Sequence, residues 1–374
     1  MTDFSARRRK FLRGAALTIA APMLNFGAHR VFADAPKYST RVVDLVRRSV
    51  VIDMLAPLTL ILTPEYAAKT LSPADVDMFR TCGINAFHHS VGVGAYADVM
   101  EFMADWNGFV GRNSNIFSIV NQIGDIDRAK AERKVAVIMG QQDADHFRTP
   151  DDVKAFYLIG QRVSQLTYNA QNLLGSGSTE RIDGGVSDYG IAIIKAMNAV
   201  GMLIDVSHSG DRTTLDAIEL SPVPIAITHS NCRALNNHPR LKTDEAIQAL
   251  AAKGGVMGIS GVRMFVKATE PTTIEDMVDH IDHVVKLVGA EHVGVGSDCD
   301  LLGYDKMPSE LNKQLRAGYK ASYAFREKID TDGYDNPKKI YALTDALVRR
   351  GYSDANISLI LGGNFRRLLA QTWK

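Results

Sequence analysis

Two histidines, one aspartate and a pair of glutamines stand where apolar runs of this chain stop. Met202-Leu203-Ile204-Asp205-Val206-Ser207 ends on His208, and Ile225-Ala226-Ile227-Thr228 ends on His229-Ser230. Val293-Gly294-Val295-Gly296-Ser297 ends on Asp298, and Val137-Ile138-Met139-Gly140 ends on Gln141-Gln142. Neutral imidazole and carboxylate are the donor types that assemble a zinc-type site, and several strand ends meeting at one rim would bring them together. Taken singly, either histidine reads equally well as a hydrogen-bonded rim or core residue. The convergence of several such endings is what points to a polar functional site.

Such a rim needs strands in parallel, and the chain supplies them. Short β-rich runs alternate with helical patterns: Val50–Asp53, Asn85–His89, Val135–Met139, Val163–Tyr168, Met202–Val206, Pro224–Thr228, Gly255–Ile259 and His292–Gly296, with Ile357–Leu361 as a further apolar run. Several are apolar throughout, as strands covered on both faces must be. Thr273 to Val288 is the clearest helix, since Ile274, Met277, Val278, Ile281, Val284, Val285 and Val288 recur at three and four residues. About eight strand–helix units predict an α/β fold, a TIM-like (β/α)8 barrel. The site is then expected at the C-terminal ends of the strands.

No linker divides residues 36–374, which read as one domain. Gly175-Ser176-Gly177-Ser178 lacks the ending and setting of a phosphate loop and reads as a surface loop. Three scattered cysteines, Cys82, Cys232 and Cys299, make no disulfide framework and no Cys-x-x-Cys metal pair. His280 and His283 are expected on the outer face of the Thr273–Val288 helix. His88 and His89 close the second strand, where one of them is a candidate substitute ligand. Asp143, Asp145 and His146 follow Gln142 in a polar loop.

The first 35 residues read as an address. Arg7-Arg8-Arg9-Lys10-Phe11-Leu12-Arg13 precedes an apolar run from Gly14 to Phe26, then Ala33-Asp34-Ala35 offers small residues for cleavage. The pattern looks like a twin-arginine export signal, so the expected partners include the twin-arginine export machinery and the expected location is the periplasm. The run is shorter than the roughly 20 residues that span a bilayer, so no stable membrane span is expected. The whole chain carries 43 Lys and Arg against 42 Asp and Glu; without residues 1–35 the acidic side is in excess by three. That sign gives no reason to bind nucleic acid.

A set of motifs in the C-terminal two thirds resembles the renal (membrane) dipeptidase family of zinc metallopeptidases: Asp205-Val206-Ser207-His208, Thr228-His229-Ser230-Asn231, His238-Pro239-Arg240, Gly254-Gly255-Val256-Met257-Gly258-Ile259, His280-Ile281-Asp282-His283, Gly296-Ser297-Asp298-Cys299-Asp300 and Gly362-Gly363-Asn364. The resemblance implies a TIM-like barrel with a two-zinc site that hydrolyses dipeptides, often as a homodimer. It further implies that His208 and His229 bind one zinc, that Asp298 binds the other and handles the proton, and that Arg240 holds the substrate's terminal carboxylate.

The chain also departs from the pattern. An Asp-x-His-x-Asp signature is expected on the first strand, and the segment here reads Asp53-Met54-Leu55-Ala56-Pro57. The bridging glutamate is replaced by Gln142, or by Gln141 on a looser match. Tyr168 replaces a histidine that steadies the oxyanion, and a phenol can donate the same hydrogen bond. With three of six ligands kept, the expectation is one zinc or none, on His208 and His229, completed by Asp298, a Gln142 oxygen or water. Two readings follow: an exported hydrolase acting on dipeptides or related small amides, or an altered relative that binds or matures a peptide-derived metabolite in the periplasm.

Overall fold

The computed structural model describes residues 38–56, 58, 70–91 and 94–374. The export-signal reading of residues 1–35 and the Pro57 position lie outside the described residues. In chain order the elements are α1 (Thr40–Arg48), β1 (Ile52–Asp53), α2 (Pro73–Thr81), β2 (Ala86–Val91), α3 (Tyr96–Arg112), β3 (Phe117–Ile119), α4 (Ile123–Ala131), β4 (Val135–Gln141), α5 (Pro150–Leu158) and β5 (Gln161–Gln165). They continue with α6 (Asp188–Val200), β6 (Leu203–Asp205), α7 (Asp211–Leu220), β7 (Ala226–Ser230), α8 (Asp244–Ala252), β8 (Val256–Ile259), α9 (Arg263–Val266), α10 (Ile274–Val288) and β9 (Val293–Val295). After β9 come α11 (Ser309–Ala317), α12 (Lys339–Arg349), α13 (Asp354–Ser358) and α14 (Asn364–Thr372).

All strand pairings are parallel. β1, β2 and β4 to β9 close into an eight-stranded barrel, because β1 pairs with β9 at one seam and β2 pairs directly with β4 at the other. β3 is an addition: it pairs with the first three residues of β4, beside the barrel. Nothing in its three residues announces a strand, and the sequence reading missed it.

The period-2 pleat sorts the core into two layers. Ile52, Ala86, Ala136, Ile138, Val163, Leu203, Ala226 and Val256 form one cluster, which Phe365, Leu368 and Leu369 of α14 join. Their alternates, among them Phe87, Val137, Met139, Ile204, Ile227, Met257, Val293 and Val295, pack in the larger cluster with the helices. The small residues of the first set leave room for α14. Gly294 does the same, since a Cβ there would lie 2.5 Å from the Phe365 ring.

The further apolar run Ile357–Leu361 is helical, split between α13 and the wide turn Leu359–Gly363 that leads into α14. Two expectations need correction. The Gly175-Ser176-Gly177-Ser178 tract is a loop, but its first three residues are buried. A Cβ on Gly177 would lie 2.2 Å from the Asn169 carbonyl carbon, so the absence of a side chain serves close packing. Finally, His280 is buried: it shares the face of Met277, Ile281 and Val284, accepts from Cys232 N through Nδ1 at 3.1 Å and donates to the Val266 carbonyl at 2.8 Å. His283 does remain at the surface, paired with Asp244.

Candidate active site

The site is organised by one buried carboxylate. Asp205 ends β6, and its Oδ1 accepts from Ser207 N at 2.9 Å, Ser207 Oγ at 2.6 Å and Thr228 N at 3.0 Å. Its Oδ2 accepts from Thr228 Oγ1 at 2.6 Å. Ser207 Oγ in turn accepts from His229 N at 3.0 Å. One side chain thereby ties the end of β6 to the end of β7. The consequence is that His208 and His229, 21 residues apart in the chain, bring their Nε2 atoms to 3.0 Å.

Each imidazole is held from behind, His208 Nδ1 by Asn169 Oδ1 and His229 Nδ1 by Thr228 Oγ1, both at 2.8 Å. Lys242 secures the His208 loop, its Nζ donating to the carbonyls of Val206 and Ser209 and to Thr214 Oγ1. Burial, reinforced by the positive Arg240, by His88 and by Lys242, pushes the His229 pKa well below the usual histidine range. It is a neutral nitrogen donor at physiological pH.

Tyr168 lies beyond the end of β5, where the strand stops at Gln165. Its ring stacks on His208 at 4.1 Å between centroids, and its hydroxyl meets that of Tyr319 at 2.7 Å. Arg240 is fully buried and donates to the carbonyls of Ser207 and His229. Its Nε has no acceptor, and no carboxylate forms an ion pair with it among the described residues.

Asp298 follows β9 in a left-handed conformation, φ 52°, with its amide on the Leu55 carbonyl at 2.8 Å. It is partly exposed at the barrel mouth. The protein packed around it raises its carboxyl pKa to about 7, with Arg240 opposing the rise and Asp53 adding to it. A raised carboxyl pKa means that the native state holds a proton which the unfolded chain, at 3.8, has already released. Stability should therefore fall as pH rises from about 4 to 7 and stay level above. In metal-free protein, Asp298→Asn is expected to raise the thermal midpoint at about pH 8 and to have no such effect near pH 4. An equal shift at both values would refute the assignment.

The anticipated residues are thus only partly assembled. His208, His229, Tyr168 and Arg240 are in contact, directly or through a backbone carbonyl. Gln142 is buried past the end of β4. Asp298 is coupled to Arg240 by charge but does not join the imidazole pair, and among the described residues no three His, Cys, Asp or Glu side chains form a metal-ligand group.

The first-strand position holds hydrocarbon: Leu55 is wholly buried, with Met54 and Ala56 beside it in the chain equally enclosed. A two-zinc site does not fit this donor set. A single ion does fit the imidazole pair, because two nitrogens bonded at about 2.0–2.1 Å to one tetrahedral zinc lie about 3.3 Å apart.

The other candidates have structural work. His88 donates through Nδ1 to the Met54 carbonyl at 2.8 Å, and its ring lies so close to Gly140 that a Cβ there would be 1.9 Å from Nε2. Its Nε2 is buried and has no hydrogen-bond partner among the described residues. His89 packs on Trp106 at 4.0 Å between centroids. His146 bonds Gln161 against Phe147 and Phe156, and Asp143 caps its own turn while holding Asn172. Asp205, Thr228, Asn169 and Tyr319 were the residues missed. The first two stood inside motifs read only for their histidines, and Asn169 and Tyr319 gave no signal at all.

Residues 40–317 match the family described as membrane dipeptidase, peptidase family M19. Dipeptidase verJ of Clonostachys rogersoniana is 31% identical over 223 residues, covering 59% of this chain and 51% of that protein. An uncharacterized protein from the pqqA 5' region of Klebsiella pneumoniae is 29% identical over 261 residues, covering 67% of this chain and 87% of that protein. The match spans about half the length of the curated dipeptidases, 51% of verJ and 56% of tcpJ from Claviceps purpurea. Among solved structures, an amidohydrolase from Pseudomonas aeruginosa superposes with a TM-score of 0.80 at 28% identity, covering 89% of this chain and 99% of that one. The probable dipeptidase PvdM of the same organism shares the fold, with a TM-score of 0.72 at 20% identity over 88% of this chain and 97% of that one.

Proposed function

The chain belongs to the membrane dipeptidase family, peptidase family M19, and from that premise we propose that it is an exported hydrolase of dipeptides or related small amides that works with at most one zinc ion. The observation that carries this reading is the His208–His229 pair, Nε2 to Nε2 at 3.0 Å, beside a buried Arg240 that forms no ion pair among the described residues. The two imidazoles would hold the ion, which when bound supplies a Lewis acid and lowers the pKa of water.

The protein's own groups account for the rest. Arg240 binds the carboxylate of the substrate by charge-assisted hydrogen bonds. Asp298, with a pKa near 7, holds or releases a proton close to neutrality, where general acid–base exchange is most effective. The Tyr168 hydroxyl shares a hydrogen bond with that of Tyr319, and with Tyr319 as the donor Tyr168 would keep its own proton available for an oxyanion. Residues 1–35 direct the folded chain through the twin-arginine machinery to the periplasm. Among the described residues no helix is long and apolar enough to cross a membrane.

The hydrocarbon at Leu55 favours a second reading, in which hydrolysis has been lost and the pocket binds or matures a peptide-derived metabolite. The two are separated by metal analysis of the exported protein and a dipeptide panel assayed with added zinc. The hydrolase reading expects one zinc per chain and turnover, with both reduced about tenfold or more in His208→Ala. Metal-free protein inert toward the whole panel would establish the second reading instead.

A further inference from the structure

The backs of the two imidazoles are not equivalent to ordinary hydrogen-bonded histidines, because their partners fix where every proton lies. Thr228 has one hydroxyl proton, and it is committed to Asp205 Oδ2 at 2.6 Å. Thr228 Oγ1 can therefore only accept from His229, so Nδ1 of His229 must carry the proton and Nε2 must carry a lone pair. Asp205 cannot relax this demand, since four donors from Ser207 and Thr228 already converge on its two oxygens.

The same logic acts on His208. The Asn169 amide turns Oδ1 toward the ring, with Ser178 Oγ as a second donor to the same oxygen at 3.4 Å. His208 Nδ1 is then the donor, and its Nε2 also presents a lone pair. Two lone pairs facing each other at 3.0 Å repel unless something positive lies against both.

We infer that Asp205, Thr228 and Asn169 are positioning residues that lock His229 and His208 in the Nδ1–H tautomer and thereby aim both Nε2 atoms at one borderline metal cation. The ligand class follows from the donors: neutral nitrogen, with no charge from either ligand, suits zinc or a neighbouring transition ion over calcium or magnesium. The inference deepens the metallohydrolase reading and rests on it for the identity of the ion. Its proton assignment is independent of catalysis. Without the Thr228 hydroxyl, His229 can move its proton to Nε2 and donate it to His208, closing the pair on itself.

The test uses the full chain, metal-stripped, with ¹⁵N-labelled histidine. NMR should show wild-type His208 and His229 protonated at Nδ1 alone. In Thr228→Val, of nearly the same shape, the His229 signal should shift toward the Nε2–H form, and zinc affinity read by chelator competition should drop about 10- to 100-fold. Thr228→Ser should restore both readouts, which a loss of packing alone would not predict. A wild-type spectrum with a proton on either Nε2 overturns the inference with no variant needed, as does a Thr228→Val protein that keeps the tautomer and binds zinc within twofold of wild type. Tautomers and affinities that behave as expected in a protein inert toward dipeptides would sink the hydrolase reading and leave this one standing.

Discussion

Gly296→Ala is expected to destabilise the protein by about 3 kcal/mol or more, at the upper end of what overpacking a core costs. The pairing of β7 with β8 shifts register between Ile227 and Ser230. There the Thr228 carbonyl lies where a Cβ on Gly296 would come to 1.8 Å, with His229 Cα at 3.1 Å behind it. Both obstacles are backbone, so no rotamer change relieves the clash. Relief would require β7 and β9 to part at the point where β7 delivers His229. Gly258 on β8 meets the same carbonyl at 2.0 Å, so two strands share the requirement. Urea unfolding measures the loss, and zinc affinity should fall with it. Gly111→Ala is the internal control: this glycine is inside α3 with nothing within 4 Å, and alanine there should stabilise by about 0.5–1 kcal/mol. A Gly296→Ala protein within 1 kcal/mol of wild type would mean that the β7 register shift is misplaced.

Those glycines show where reading the sequence succeeded and where it stopped. Strand and helix alternation, a local property of apolar spacing, was enough to anticipate the eight barrel strands and α10. The imidazoles were also legible, since residues that end an apolar strand must sit at the rim. What could not be read was anything set by pairs distant in the chain. His280 looked exposed because the apolar stripe left it aside, yet the Cys232 amide and the Val266 carbonyl supply both of its hydrogen bonds and make burial cheap. The glycine–serine tract looked like a flexible surface loop because composition says nothing of the Asn169 backbone it packs against. Asp205 was visible in its motif, but only the folded ladder reveals that one carboxylate serves two strands. His88 had the right type and the right strand end, but only the fold shows that its Nδ1 is spent on the Met54 carbonyl and that its ring packs where Gly140 leaves space.

Removing the charge of Arg240 should damage recognition more than any other single change that leaves the barrel intact. A guanidinium with no exposed surface is costly to bury, and here it is met by the Ser207 and His229 carbonyls and the Tyr323 hydroxyl, with the Phe265 ring 5.2 Å from its carbon, no ion pair to a carboxylate among the described residues, and its Nε–H left without an acceptor. A carboxylate arriving with the substrate would satisfy both deficits. Breaking such a buried pair is worth about 3–5 kcal/mol, so Arg240→Met should lower kcat/KM for an unmodified dipeptide by about 10²- to 10³-fold, chiefly through KM. Arg240→Lys should recover little, because a single ammonium cannot keep both carbonyls and also receive a carboxylate in planar register. The decisive comparison uses a dipeptide amidated at its C-terminus. Wild type should discriminate against it by a factor close to the cost of Arg240→Met, whereas the variant should treat the two substrates alike. The buried charge itself argues that the protein tolerates this arrangement for a ligand. If Arg240→Met retains full preference for the free acid, the carboxylate is read elsewhere and the residue serves only to brace the loops carrying His208 and His229.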